Sequence, residues 1–452
     1  MVNSSNTSLN KLNAYKECNY QSKRIQLTSP LLHIGAADSE LTPFDYVQTD
    51  KQIYFPNQDA LLAVLSQQNN LKKLKKYINL VKQYLSQRDD FQQKDNRRKI
   101  LALLRQTFGE RWFEAEYQVA NTEGNLIFPI FSHKKTDQEI KDLRPMIRNA
   151  FGELYIPGTS IKGAIRTAIV FYILKNEAEY NLPTSVRVSE VEQKLRERLK
   201  NNISKKEAKR IANSNSLFMN NLFTNFKLSY EARVFGKPYT ANTDFMRAIK
   251  ITDSQPLVNN KDINLPIVAE VISSSFYPNG DNRIAKESAT NFVEMVWNLQ
   301  TEFTLTIDTE MLSQFQHEQG MQLPRKLWTV EGILEICQEF AQAQWEHEQR
   351  YWNLIKDNPN DDKLKFNPIR KFYNKDCSYN LRLGWGSGMT GTTIGLHFQE
   401  STRERIRNAC ATKPTNSSES PKSRRTAIIP TQTSQTKKPL GWVKLTPVEA
   451  EC

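Results

Sequence analysis

Between residues 155 and 168 the chain reads Tyr155-Ile156-Pro157-Gly158-Thr159-Ser160-Ile161-Lys162-Gly163-Ala164-Ile165-Arg166-Thr167-Ala168, a short extended run, a Pro-Gly turn and the opening of a helix. Its polar residues suit a phosphate. Thr159 and Ser160 are good N-cap types, so the helix is expected to begin here, with unpaired backbone N–H groups and the positive end of its dipole facing outward. Lys162 and Arg166 stand four apart and share a face near that end. Gly163 lets another backbone come close on that flank. Ile161, Ala164, Ile165, Ala168, Ile169 and Tyr172 recur at helical spacing and supply the buried side. A plain capped amphipathic helix with two solvated cations has the same pattern, and spacing alone does not choose between the two readings. The lysine precedes the second glycine, so this is not a Walker motif.

A second stretch, Leu381-Arg382-Leu383-Gly384-Trp385-Gly386-Ser387-Gly388-Met389-Thr390-Gly391, reads as a strand running into a glycine loop. Gly386, Gly388 and Gly391 spell G-x-G-x-x-G, but a dinucleotide fold needs further alternating strands and helices downstream, and a polar tail follows instead. Such a loop still lets a phosphodiester backbone approach main-chain N–H groups; the plain alternative is a hairpin with bulges. Acid–base chemistry has fewer candidates. His33 sits in Pro30-Leu31-Leu32-His33-Ile34-Gly35, and Asp38 and Asp45 follow in a loop. A ribonuclease site could assemble from His33, a lysine and the glycine loop, because proximity in space is what general acid–base catalysis needs. Histidine beside apolar residues is more often structural, and loop aspartates are common turn residues. The five histidines fit no metal-ligand spacing, and the five cysteines form no C-x-x-C pair. Neither a metal nor another cofactor is expected.

The elements that must position these residues follow from the rest of the chain. Its 452 residues exceed one ordinary core. Sixty-two basic against 49 acidic residues give a net charge of +13, which points to a polyanionic partner, nucleic acid before membrane surface. No apolar run is long enough to span a membrane and no signal peptide is visible, so a cytoplasmic protein is expected. Residues 1–21 read as a disordered N-terminal segment. Ser22 to Thr28 alternate as a strand, and helices are expected over 57–68, 71–87 and 94–107, the second lined by Lys72, Lys73, Lys75, Lys76 and Lys82. A hairpin is expected over 111–131, and a second charged helical stretch over 185–213. Further strands are expected at 266–274 and 302–308, and a long helix or helix pair at 329–356 keeps Trp345, Tyr351 and Trp352 in the core. Asp244-Phe245-Met246-Arg247 to Asp253-Ser254 forms a strand region with Arg247 available outward. The organisation is a region from 22 to 410 with charged helical insertions near 57–110 and 185–225, a disordered tether over 411–438 and a C-terminal anchor over 439–452.

Taken together, Pro30 to Gly35, Ile156 to Arg166 and Gly384 to Gly388 resemble, in order and spacing, the RAMP proteins of CRISPR systems. Within that superfamily, Asp244 to Arg247, Asp253-Ser254 and Pro439-Leu440-Gly441-Trp442-Val443 look most like the fifth subunit of type III-A Csm effector complexes. The resemblance implies an α+β fold, an RRM-like (ferredoxin-like) core with large helical insertions and room for a second degenerate RRM-like lobe. It implies a CRISPR RNA-binding subunit that caps the 3′ part of the guide in an antiviral ribonucleoprotein. Its partners would be the backbone and small subunits, with target RNA and recruited nucleases, and no membrane. The RNA-binding residues so implied are Gly158, Thr159, Ser160, Lys162, Gly163, Arg166, Arg247, Arg382, Gly384, Gly386 and Gly388. The alternative is an endoribonuclease that trims guide or cuts target RNA, for which Asp45, in the loop comparable to that of the cleaving subunit, and His33 are the candidates. A generic RNA-binding module is the third reading.

Overall fold

Alternation of Ile25 and Leu27 with Gln26 and Thr28 makes the first strand, β1 (Tyr20–Leu32), which buries the apolar set and leaves the polar set half covered. The computed structural model describes residues 19–448 apart from 37–40, 42–44, 49–51, 87–89, 112–118, 125, 129–131, 136–139, 141, 200–202, 213–219, 231–232, 236–239, 259–261, 411–418 and 431–434. In chain order, helices α1 (Gln58–Ser66), α2 (Leu71–Ser86), α3 (Asp90–Phe108), α4 (Gly158–Lys175), α5 (Val188–Arg198) and α6 (Lys205–Ala212) follow β1. Strands β2 (Ile249–Ile251), β3 (Leu265–Asn279) and β4 (Asn282–Asp308), helix α7 (Val330–Leu354), and strands β5 (Arg424–Pro430) and β6 (Trp442–Pro447) come next.

β4 is the long central strand. Its second half lies antiparallel to β1, from Leu32 opposite Val296 to Tyr20 opposite Asp308. β2 pairs with its far edge, Ile249 opposite Ile307, while β6 pairs with the outer edge of β1, Leu27 opposite Leu445. The spatial order β6-β1-β4-β2, with α4 between β1 and β2 and α7 between β4 and β6, is a split β-α-β of ferredoxin-like type. Both helices pack on one core, where Ile161, Ile165, Ala168 and Ile169 meet Ile333, Ile336, Cys337 and Phe340. The second half of α4 is buried almost all round, from Thr167 to Leu174, as a helix between sheet and helix must be.

The first half of β4 leaves this core and forms a long hairpin with β3. The other edge of β3 takes β5, Ile428 opposite Glu270. Residues 424–430 thus form a strand inside the segment expected to be a tether. The apolar run Ala427-Ile428-Ile429 is buried, and it is short enough for its Thr-, Ser- and Lys-rich surroundings to hide it. Of the segment expected to be disordered over 1–21, residues 1–18 lie outside the described residues, while Tyr20 and Gln21 already pair with Asp308 and Ile307 as the start of β1. Residues 411–418 and 431–434, and Trp112, Phe113 and Tyr117 of the expected hairpin, also lie outside the described residues; the turn itself is present, Ile127 N–H donating to Val119 O.

The two charged helical stretches differ. Helices α1 to α3 build their own core from Leu61, Leu65, Tyr77, Leu80, Leu103 and Leu104, whereas α5 and α6 send Leu195 and Ala208 into the main core. Trp345, Tyr351 and Trp352 of α7 are buried.

β5 is fastened to α7 by buried charge. Arg424 Nε lies 2.8 Å from Glu348 Oε1, its guanidinium 4.0 Å from the Tyr351 ring centroid, and its Nη2 donates to His347 Nε2 at 3.0 Å. Burial first, then the Arg424 charge, pushes the His347 imidazole from 6.5 to about 4. The unfolded chain therefore takes up a proton at a pH where the folded chain does not. Stability is unaffected above the unfolded value and is lost as pH falls towards about 4, by on the order of 3 kcal/mol. Melting temperatures measured from neutral pH to pH about 4.5 are expected to drop more steeply for the wild type than for His347→Gln; equal slopes would refute this linkage.

Candidate nucleic-acid interface

The Pro-Gly turn starts α4 at least two residues earlier than its side chains suggest. Pro157 is the N-cap, at φ −61° and ψ 133°, and neither Thr159, which is exposed, nor Ser160, half-buried, is the cap. The cap comes from the segment that follows β2 instead. Gly158 N–H donates to Asp253 Oδ1 at 2.7 Å, and Ser254 clamps Ile156 by accepting from its N–H at 2.9 Å and donating its own N–H to Ile156 O at 2.9 Å. A carboxylate thus occupies the helix end that was expected to face a phosphate. Gly158 is required by that closeness, since a Cβ there would lie 2.5 Å from Ile251 O and 2.6 Å from Thr252 O.

The two cations of the motif have separate fates. Arg166 Nη1 donates to Asp244 Oδ2 at 2.6 Å, and its guanidinium lies 3.6 Å from the Phe223 ring centroid, so its charge is neutralised inside the fold. Lys162, half-buried one turn earlier, makes no hydrogen bond or ion pair among the described residues. Burial lowers its pKa, opposed by the charge of Asp244. Beside it Gly163 is exposed, and a Cβ built there meets nothing within 4 Å. An interior helical glycine costs about 1 kcal/mol relative to alanine, and here no protein atom asks for it.

The glycine loop divides in the same way. Gly384, at φ +79°, packs against His33 O, Trp385 N–H donates to that same oxygen at 3.1 Å, and a Cβ on Gly386 would sit 2.8 Å from Leu440 Cδ1. These two glycines are needed by the fold. Gly388, at φ +71°, is exposed with open space around it. Arg382 points inward, 5% exposed, with Nε donating to Leu440 O at 3.3 Å and Nη1 lying 3.6 Å from Glu348 Oε1. Arg247 is exposed and donates to Asn242 O at 2.8 Å.

His33 is buried. Its Nδ1 lies 2.7 Å from Glu294 O, which fixes the N–H on Nδ1, and its ring stands edge-on to Trp385 at 5.8 Å. Burial lowers its pKa, which keeps it neutral near pH 7. Asp45 lies near Tyr77 of α2, where burial, then the Asp45 charge, raises the phenol pKa. His33 makes no contact with Asp45 among the described residues, and Asp38 falls outside them. The three sequence stretches do meet, through their apolar residues: Leu32 and Ile34, Ile161 and Ile165, and Leu381 and Leu383 share one core.

The RAMP superfamily model matches residues 24–388. The chain belongs to the RAMP superfamily. No curated protein matches it. Among solved structures, a chain of the cryo-EM structure of a Csm–crRNA–target RNA ternary complex in a type III-A CRISPR-Cas system is 21% identical, with 94% of this chain and 100% of that one covered at a TM-score of 0.56. The crystal structure of T. onnurineus Csm5 is 21% identical, covering 93% of this chain and 100% of its own at a TM-score of 0.50. Both share the fold.

This RAMP chain adds residues that spacing did not reveal. Trp385, half-buried between two loop glycines, has the Arg425 guanidinium 4.5 Å and the Arg144 guanidinium 5.6 Å from its ring centroid. Arg425 makes no hydrogen bond or ion pair among the described residues, and burial, then the charge of Arg144, lowers its pKa. Two like charges held near one aromatic ring favour an anion between them. A large aromatic between glycines was a visible signal for Trp385; Arg144 and Arg425 come from distant segments and had none. Among the described residues no group of three metal-ligating side chains occurs, and no helix is long and apolar enough to cross a membrane.

Proposed function

We propose that this RAMP chain is a guide-RNA-binding subunit of a type III-A Csm effector complex, holding the 3′ part of the CRISPR RNA by its backbone as a scaffold and not as a nuclease. One observation carries the reading. Lys162 is half-buried without a partner beside Gly163, an exposed helical glycine that leaves open space at the family's middle motif. A cation next to a missing side chain suits a phosphodiester backbone that passes close to the helix, and contacts to phosphate and 2′-OH groups would leave the guide sequence unread. Gly388, Arg247, Thr159 and the Arg144–Trp385–Arg425 cluster extend the surface. A Csm–crRNA–target RNA complex is among the similar structures, which supports CRISPR RNA, target RNA and other Csm subunits as the company of this chain; that these subunits are the backbone and small ones, and that nucleases are recruited for guide maturation, is part of the same proposal.

The experiment is affinity purification of the tagged chain from its native cells, followed by sequencing of the bound RNA and salt-dependent binding measurements. Repeat-derived guides are expected in the eluate. Lys162→Ala is expected to weaken single-stranded RNA binding several-fold and to reduce the salt slope by about 0.7, the share of one phosphate. Arg166→Ala is expected to act on stability instead. Mixed cellular RNA in the eluate, or unchanged binding by Lys162→Ala, would overturn the reading.

A further inference from the structure

Helix α2 carries Lys72, Lys73, Lys75, Lys76 and Lys82 and no acidic residue. None of these five lysines makes a hydrogen bond or ion pair among the described residues. That contrasts with α5 and α6, where Arg210 pairs with Glu207, Arg196 bonds Thr402 and Gln399, and Lys194 bonds Ser185 O. These cations of α5 and α6 are compensated within the fold; the five lysines of α2 are not, although Arg105 of the same insertion pairs with Glu110.

The geometry of α2 gathers its charge. Tyr77 and Leu80 are buried against α1 and α3. At 100° per residue, Lys72, Lys75, Lys76 and Lys82 fall within one arc on the opposite side, and Lys72, Lys75, Lys76 and Lys82 are exposed. Between Lys72 and Lys82 the helix rises about 15 Å, enough for several successive phosphates of a nucleic-acid strand. Leu71 and Ile78 are exposed on the same side but about 10 Å apart along the axis, with lysines between them. They do not merge into one apolar patch, which argues against a helix-binding groove. Tyr77 of α2 is buried, so its ring is not presented to a base on this face.

The sheet sets this face apart from the guide site. The path of paired strands begins at Leu381–Arg382, beside the glycine loop, and ends at Gln52–Tyr54 and Val47–Gln48, from which α1 and α2 emerge. The α2 face thus follows strands that are remote from the glycine loop in pairing order, and it is carried by different elements from those that carry Lys162. We infer that the exposed face of α2 is a second phosphate-binding surface, which holds a further stretch of the same RNA strand that passes Lys162 and does not read its bases. That the strand is the guide rests on the function proposed above; the phosphate chemistry of α2 does not.

The test uses the full chain with Lys72, Lys75, Lys76 and Lys82 all changed to Ala, and separately all changed to Arg. Fluorescence anisotropy measures binding of a short single-stranded RNA and of one several times longer, over a range of salt. The alanine variant is expected to bind the short RNA normally and the long one roughly tenfold more weakly, its salt slope smaller by about 3, for four phosphates at about 0.7 each. The arginine variant should keep wild-type binding. Lys162→Ala, run in parallel, should weaken both RNAs; if it does not while the α2 effect stands, the function proposed above fails and the α2 surface remains. Equal binding of the long RNA by wild type and alanine variant overturns the inference, as does a loss seen only with phosphatidylserine vesicles or only with an acidic peptide.

Discussion

Gly158→Ala is expected to destabilise the protein by about 4 kcal/mol or more, the range reserved for substitutions with a specific structural fault. The new methyl group would stand 2.5 Å from Ile251 O and 2.6 Å from Thr252 O. Neither oxygen can withdraw alone. The strand β2 is paired to β4 through Ile249, Lys250 and Ile251, and the following Asp253 and Ser254 are bonded to Gly158 and Ile156. Moving the carbonyls would break the cap of α4 and loosen the edge strand together. Denaturant unfolding monitored by circular dichroism should show a lower midpoint with little change in m-value. Asp253→Asn, which keeps an acceptor but removes the charge at the helix N-terminus, should cost about 1 kcal/mol or less. If Gly158→Ala unfolded at the wild-type midpoint, the close approach of strand and helix would be wrong.

The same interaction marks how far the sequence could be read. The periodicity of α4 and its apolar face were legible because they depend on neighbours within one turn. The identity of the cap was not, because Asp253 lies 95 positions away and carries no pattern that ties it to Gly158. Thr159 and Ser160 have the right chemistry to cap a helix, but a turn clamped by Ser254 places Pro157 at that position. Lys162 and Arg166 looked equivalent for a similar reason. Their difference lies in Asp244, 78 positions from Arg166, and in the Phe223 ring beneath the guanidinium.

Strands show the same rule at larger scale. β1 was legible because one face is buried along much of its length, which imposes a period of two. β4 was legible only over its last residues, 302–308. Residues 286–290 of its first half are exposed in succession, where the hairpin with β3 projects from the core and no face selects for apolar residues. Arg382 illustrates the opposite limit. Arginine beside a glycine loop suggests phosphate, yet Glu348 on α7 and Leu440 O draw it inward, a pairing that only the packing of α7 against the C-terminal segment creates.

Gly163→Leu is expected to leave the fold intact and to reduce RNA binding by a hundredfold or so, about 2.7 kcal/mol at 25 °C. Two consequences of one empty space oppose each other here. Since nothing lies within 4 Å of a Cβ at this exposed position, leucine should be accommodated without a clash. Leucine is also the better helix former, so the melting temperature should rise by an amount matching about 0.5–1 kcal/mol. If RNA passes over Gly163, the added side chain fills its path and pushes the phosphates away from Lys162, removing the close approach and the charge contact together. Gly163→Ala should show the same two trends at reduced size. Stability and binding measured on the same samples separate this from general damage, which would lower both. A leucine variant that is more stable and binds RNA as well as wild type would mean that the space beside Lys162 is not where the strand runs.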